Sequence, residues 1–192
     1  MVKTKDNAIG EKILKTASDL FYRNGYRATG INEVIRKSGV AKATFYSHFP
    51  SKDDLCIAYV RRMAETDWNQ MKKAVEAMGS PKKQLIGMTE MLGGWLKSTG
   101  CKGCGFLNLI PEITDPKHPV RREAINHYDK VRAFVKKLFA ALKGSRARAG
   151  EIEELTDKYM LIFTGGIAMS EIYGNVRPIE SATEAIKQLV EG

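Results

Sequence analysis

Residues 43–52 read ATFYSHFPSK: two Phe and a Tyr surround a Ser and a His, and the chain restarts after Pro50 with Ser51 and Lys52. A core helix has no need of the polar groups, and a surface helix has no need of the rings. Phe45 and Phe49 are four residues apart, so they share one face of a helix and can pack together on neighbouring helices. Lys42, Thr44, Tyr46, Ser47 and His48 lie mostly off that face. Their side chains are donors of the kinds that reach phosphates and base edges. The pattern predicts a helix of about two turns that ends at Phe49, anchored behind by its rings and open in front. A DNA major groove is wide enough to admit one such helix. The plainer alternative uses the same residues as small packed helices with a solvated polar face.

The flanking sequence extends this reading. Upstream, Ser38-Gly39-Val40 is a tight break, with Gly39 free to take positive φ. Before it, Ile31, Val34 and Ile35 predict a short helix with Thr29 as its N-cap. Further back, Ile9, Ile13, Ala17, Leu20 and Phe21 form one stripe of a helix over about 7–24, closed by Gly25. Two short helices joined by a glycine-containing turn predict a helix-turn-helix. Downstream, Ser51 with Asp54 gives the capping spacing that opens a fourth helix, expected over about 52–78.

The rest of the chain is helical by period, with no convincing run of apolar and polar alternation. Breaks at Gly79-Ser80-Pro81, STGCKG (98–103), DPKHP (115–119) and GNVRP (174–178) separate further helices. They are expected at about 82–98, from Gly105 to near Pro111, at about 120–143 and about 151–173, and in a last one capped by Ser181 and ending near Val190. The prediction is an all-α chain of about nine helices. Residues 1–53 would form a three-helix domain with the helix-turn-helix, and residues 54–192 a larger helical body.

Composition limits the function classes. The chain has 192 residues, 43% of them hydrophobic, and a net charge of +9. Residues 1–53 hold 10 Lys/Arg against 5 Asp/Glu, so about a quarter of the chain carries more than half of the positive excess. A basic N-terminal segment suits an anionic partner such as nucleic acid. No run of 18 apolar residues predicts a membrane span, and the polar MVKTKDNAIGEK has no secretory apolar core. Cytoplasm is the expected location. Cys56, Cys101 and Cys104 are too few, and odd in number, for a disulfide framework.

The stretch ASDLFYRNGYRATGINEVIRKSGVAKATFYSHFPSKDDL, 17–55, resembles the N-terminal domain of the TetR family of bacterial transcriptional repressors. The features that carry the resemblance are LFYRNGY closing helix one, T-x-I-x-x-V-I in helix two, and SGVAKATFYSHFPSKDDL running through helix three into helix four. The likeness covers about residues 8–60 closely, and the remaining all-helical length resembles the family's ligand-binding and dimerisation domain. It implies a homodimer on a palindromic double-stranded operator, released by a small-molecule effector, with no cofactor. By position it implies phosphate contact at Thr29 and Lys52, base or phosphate contact at Lys42, Ala43 and Thr44, and backbone contact at Tyr46 and His48. Two residues depart from the pattern. Gly30 replaces a second hydroxyl residue, and Arg36 stands where a small Ala is usual, as added DNA charge or as a solvent-facing side chain.

CKGC, 101–104, is the second chemical feature. A zinc site needs two further ligands, and His48, His118 and His127 form no paired H-x3–5-H, so no metal is expected. A thioredoxin-like oxidoreductase would place the motif after a strand, and none is predicted. Two readings remain. Cys101 or Cys104 is a thiol sensor, with Cys104 activated by Lys102 and a helix N-terminus; or both are structural. Part of the TetR family resembles GCGFLNLIPEITDPKHPVR, 103–121, with a Gly-Cys opening helix six, then F-x-N, a Glu and D-P-x-H-P-V-R. Cys56, within LCIAYV, is expected in the core.

The resemblance places the effector pocket among the C-terminal helices, with Trp95, Cys104, Phe106, Asn108, Glu112, His127 and Phe163 as candidate linings. Asn108 and Glu112 sit one turn apart on an apolar helix, where they bind a ligand or bond to neighbouring helices. The resemblance also implies dimerisation through the last two long helices. Gly165, Gly166 and Ala168 there form a small-residue patch, serving close helix approach or a local kink. The runner-up function, from another class, is a helical protein that binds no DNA, or a thiol oxidoreductase using CKGC.

Overall fold

The computed structural model describes residues 2–191, with side chains at 7–66, 68–145 and 147–191. These residues form nine α-helices and no strand: α1 (Val2–Asn24), α2 (Ile31–Ser38), α3 (Lys42–His48), α4 (Lys52–Glu76), α5 (Pro81–Ser98), α6 (Gly105–Glu112), α7 (Pro119–Lys143), α8 (Ala149–Tyr173) and α9 (Arg177–Glu191). A single 3-10 turn, Gly144–Arg146, follows α7. No helix among the described residues is long and apolar enough to cross a membrane. Packing divides the chain into two units, Met1–Thr66 with Gly105–Ile125, and Asp67–Cys104 with Asn126–Gly192. The boundary expected at 53/54 is the start of α4, whereas packing groups the first turns of α4, and α6, with α1–α3.

In the first unit the predicted stripe is the core, save for Ile9, which is half-buried. Ile13, Ala17, Leu20 and Phe21 of α1 are buried, as are Val34 of α2, Phe45 of α3 and Leu55 and Tyr59 of α4; α1 packs on α2 and α3, and the Phe21 ring meets Tyr59 at 5.6 Å. Full burial of a side chain such as Phe45 contributes about 1.5–3 kcal/mol. Gly39 ends α2 in the left-handed conformation, φ 63°, and donates its N–H to Ile35 O at 3.0 Å. Phe49 ends α3 in an extended conformation, φ −133°, as a residue before proline must. Ser51 caps α4, its Oγ accepting the Asp54 N–H at 3.0 Å and donating to the Asp54 carboxylate at 2.6 Å.

The N-cap of α2 is Gly30 and not Thr29. Thr29 is fully buried and its hydroxyl donates to Gly25 O at 2.7 Å, so it satisfies a carbonyl left over at the end of α1.

The second unit packs α8 on α9 and α5 on α9. Its core includes Leu85 and Met88 of α5, Tyr159, Phe163 and Ile167 of α8, and Ile179 and Ile186 of α9. The Tyr159 hydroxyl donates to Leu85 O at 2.8 Å, which satisfies a phenol with no access to water. Ser181 does not cap α9, which starts four residues earlier. Pro178 is tolerated because first-turn N–H groups have no helical partner, and Asn175 Oδ1 caps the start by accepting from Arg177 N at 3.0 Å.

Candidate functional site

The α3 helix has the two faces that its sequence requires. Phe45 is fully buried and meets Phe49 at 6.3 Å between ring centroids. Lys42, Ala43, Tyr46 and Ser47 are exposed, and Thr44 and His48 are half-buried. His48 Nδ1 lies 3.0 Å from Thr44 O. The same nitrogen lies 3.1 Å from the Ser47 hydroxyl. The imidazole also packs close to α1, where a Cβ at Gly10 would stand 3.0 Å from His48 Cδ2. Arg36 of α2 is exposed.

The surroundings of the two expected phosphate contacts differ. The Thr29 hydroxyl is turned inward and bonded, so in this conformation it offers nothing to a phosphate. The start of α4 already carries Asp53 and Asp54 in its first turn, and Ser51 occupies the Asp54 amide, so an anion finds little vacancy there. Lys52 remains at the site. Its Nζ donates to Arg27 O at 3.3 Å and sits 4.4 Å from the centre of the Tyr26 ring. Burial lowers the Lys52 pKa, opposed by the nearby carboxylates of Glu112 and Asp53.

A polar network surrounds this corner of the first unit. The Tyr26 hydroxyl donates to Asp53 Oδ1, and His118 Nε2 lies 3.1 Å from Asp53 Oδ2. Burial, and then Asp53, raise the Tyr26 phenol well above its usual range. The Glu112 carboxylate accepts from two successive main-chain amides, Tyr26 N at 3.0 Å and Arg27 N at 2.7 Å. Sequence reasoning missed this contact, which joins residues 86 and 85 positions apart. Glu112 and Asn108 also line a crevice with Phe21, Tyr22, Tyr26 and Tyr59, with room for little more than a water-sized group.

The candidate effector residues divide between the units. Phe106, Asn108 and Glu112 belong to the first, and Trp95, Cys104, His127 and Phe163 to the second. Trp95 is 38% exposed, whereas Phe163 is buried and stacks on Tyr159 at 5.8 Å. Trp68 meets His127 edge to face at 6.1 Å. Burial, helped by the Lys130 charge, lowers the His127 pKa to about 4. The Tyr128 hydroxyl reaches Cys104 Sγ at 3.8 Å. Cys101 is buried with a left-handed backbone, φ 54°. Cys56 is fully buried, as expected of a core residue, and burial raises its thiol pKa. No group of three or more His, Cys, Asp or Glu among the described residues is arranged to hold a metal ion.

The small-residue patch of α8 serves two different faces. A Cβ at Gly166 would stand 2.7 Å from Ala182 Cβ, so this glycine lets α9 close on α8 within the chain. Gly165 is exposed with nothing within 4 Å of such a Cβ. Around it, Leu161, Met169, Ile172 and Tyr173 are exposed, at 72%, 41%, 70% and 63%.

Residues 13–59 match the bacterial regulatory proteins described as the tetR family. YxaF of Bacillus subtilis, an uncharacterised HTH-type transcriptional regulator, is 36% identical over 185 residues, 94% of each chain. The HTH-type transcriptional regulator LmrA of the same organism is 27% identical over 183 residues, covering 94% of this chain and 96% of LmrA. The crystal structure of a TetR-family transcriptional regulator from Streptomyces coelicolor superposes with a TM-score of 0.81 at 27% identity, over 96% of this chain and 94% of that one.

Proposed function

We propose a function from one premise: the chain belongs to the tetR family of bacterial regulatory proteins. It is a helix-turn-helix transcriptional regulator that binds DNA. In our reading it is a repressor that acts as a homodimer on a palindromic operator. The α3 helix of each subunit enters a major groove, with the two heads roughly one helical turn apart.

The observation that carries this reading is the division of α3. Phe45 is fully buried while its neighbour Tyr46 is 40% exposed, and Lys42 and Ala43 lie open beside it. Lys42, Ala43 and Thr44 then meet bases or nearby phosphates, and Tyr46, His48 and Lys52 the DNA backbone. The exposed apolar stripe Leu161, Met169, Ile172 and Tyr173 around Gly165 suits a second copy of α8.

Release follows from linkage. A small-molecule effector favours a state with the heads at another spacing, and DNA and effector oppose each other by the same factor. Thiol modification is a second route, favoured by the half-buried Cys104 beside Tyr128 and by Cys101 three residues away. Cytoplasmic location accords with a DNA ligand.

The test is fluorescence anisotropy with a duplex from directly upstream of the protein's own gene, in excess competitor DNA, with the thiols reduced and then mildly oxidised. Selective, salt-dependent binding supports the regulator. Its absence across a genomic library removes the repressor and leaves a helical protein without an operator. Binding that is lost on oxidation and kept by a Cys101→Ser/Cys104→Ser protein assigns release to the thiols.

A further inference from the structure

We propose that Glu112 is a positioning residue for DNA reading: from the last turn of α6 its carboxylate holds the main chain that leads into the helix-turn-helix. The proposal rests on the DNA-binding reading above. It gives Glu112 a role other than lining an effector pocket.

Four features fix the segment that the carboxylate holds. Tyr26 N and Arg27 N each donate to one of its oxygens, at 3.0 and 2.7 Å. These are charge-assisted bonds, the stronger kind. Gly25 supplies the room. Its φ is +86°, and a Cβ there would stand 2.7 Å from Glu112 Oε1. Lys52 supplies the opposite charge, with its Nζ on Arg27 O and over the Tyr26 ring. Asp53, bonded to the Tyr26 hydroxyl, ties the same tyrosine to the start of α4.

The place that Glu112 grips gives the contact its consequence. A carboxylate at a helix C-terminus lies against the negative end of the helix dipole, so the α1 end is an unfavourable site for it without those amides and Lys52. The held segment is a turn, half-buried at Tyr26 and exposed at Arg27, and it runs within three residues into Gly30, the N-cap of α2. The remainder of α6 is fastened by buried Phe106 and Leu109. Glu112 therefore fixes where α2, and α3 after it, start relative to α6. Reading a base sequence needs that fixed placement, whereas binding a uniform phosphate backbone needs only the charges.

The test uses the full-length protein and a duplex that the wild type selects from a random library. Glu112→Ala is expected to weaken binding to that duplex by at least about tenfold, the scale of one lost charge-assisted hydrogen bond. Random-duplex affinity and its salt slope are expected to stay unchanged. Glu112→Gln keeps the shape and one acceptor oxygen, so its loss is intermediate, and it serves as the readable variant if the alanine protein folds poorly. Amide exchange measured by NMR should quicken at Tyr26 and Arg27 and remain unchanged at the core amides of α1 and α2. Undiminished selective affinity, an equal loss on random duplex, or retained protection at both amides overturns the positioning role and leaves the DNA-binding reading standing. A wild type that selects no sequence removes both.

Discussion

The rings of Phe45 and Tyr46 meet edge to face at 5.3 Å, yet the first is fully buried and the second 40% exposed. Adjacent residues on a helix point about 100° apart, and that angle lets one short helix serve a core and a groove at once.

Phe45→Ala is expected to lower stability by about 3–5 kcal/mol, as for other fully buried Phe truncations. Tyr46→Ala is expected to leave the denaturant midpoint within the change seen at exposed sites while weakening operator binding. Urea unfolding and duplex titration of the two variants make the comparison, and equal effects on stability would contradict the two-faced helix.

Lys52→Met tests the backbone contact proposed for Lys52. If its ammonium meets a phosphate, the slope of log affinity against log salt falls by about 1 per head. An unchanged slope assigns Lys52 only to Arg27 O and the Tyr26 ring.

Gly25→Ala forces a side chain into φ +86° and into the Glu112 carboxylate. The backbone strain alone is about 1–2 kcal/mol, and displacement of the carboxylate adds to it. In a Glu112→Ala background only the strain remains, so the double-mutant cycle should be sub-additive, with a coupling opposite in sign to the single losses and at least about 0.5 kcal/mol in size.

Gly165 and Gly166 are expected to respond oppositely. Gly166→Ala meets Ala182 and Ile179 of α9 and should destabilise the chain. In the single subunit Gly165→Ala enters open space and should stabilise α8 by about 1 kcal/mol through helix propensity. Gly165→Arg is expected to dissociate the proposed dimer, read as halved mass in sedimentation. Unchanged mass places the dimer contact elsewhere.

His127 gives an acid-side stability change. Its folded pKa is lowered to about 4 from 6.5, first by burial and then by Lys130. The unfolded chain therefore binds the extra proton between those values. Stability from this group is complete above about pH 6.5 and falls as pH drops toward 4, by about 3 kcal/mol at most. His127→Phe should show less decline between about pH 7 and about pH 5 in urea unfolding. An equal decline in both proteins points to other titrating groups.

The sequence by itself determined the helices, the turns at Gly25 and Gly39, the stop before Pro50 and the Ser51 cap. Each of these is settled by free energies acting within a few residues. It also determined that Phe45 faces inward, because a spacing of four on a helix leaves no other consistent face. The tertiary structure decided what depended on distant partners. Thr29 satisfies Gly25 O and leaves the α2 cap to Gly30, because the carbonyls at the end of α1 needed a donor. Arg177 and Pro178, legible as a break, open α9 because Asn175 and Ser170 supply acceptors for its first amides. Gly166 and Gly165 look alike in sequence, and only the approach of α9 separates them. The Glu112 carboxylate finds the amides of Tyr26 and Arg27 across some 85 residues, and no local pattern announces a contact whose two halves are brought together by packing alone.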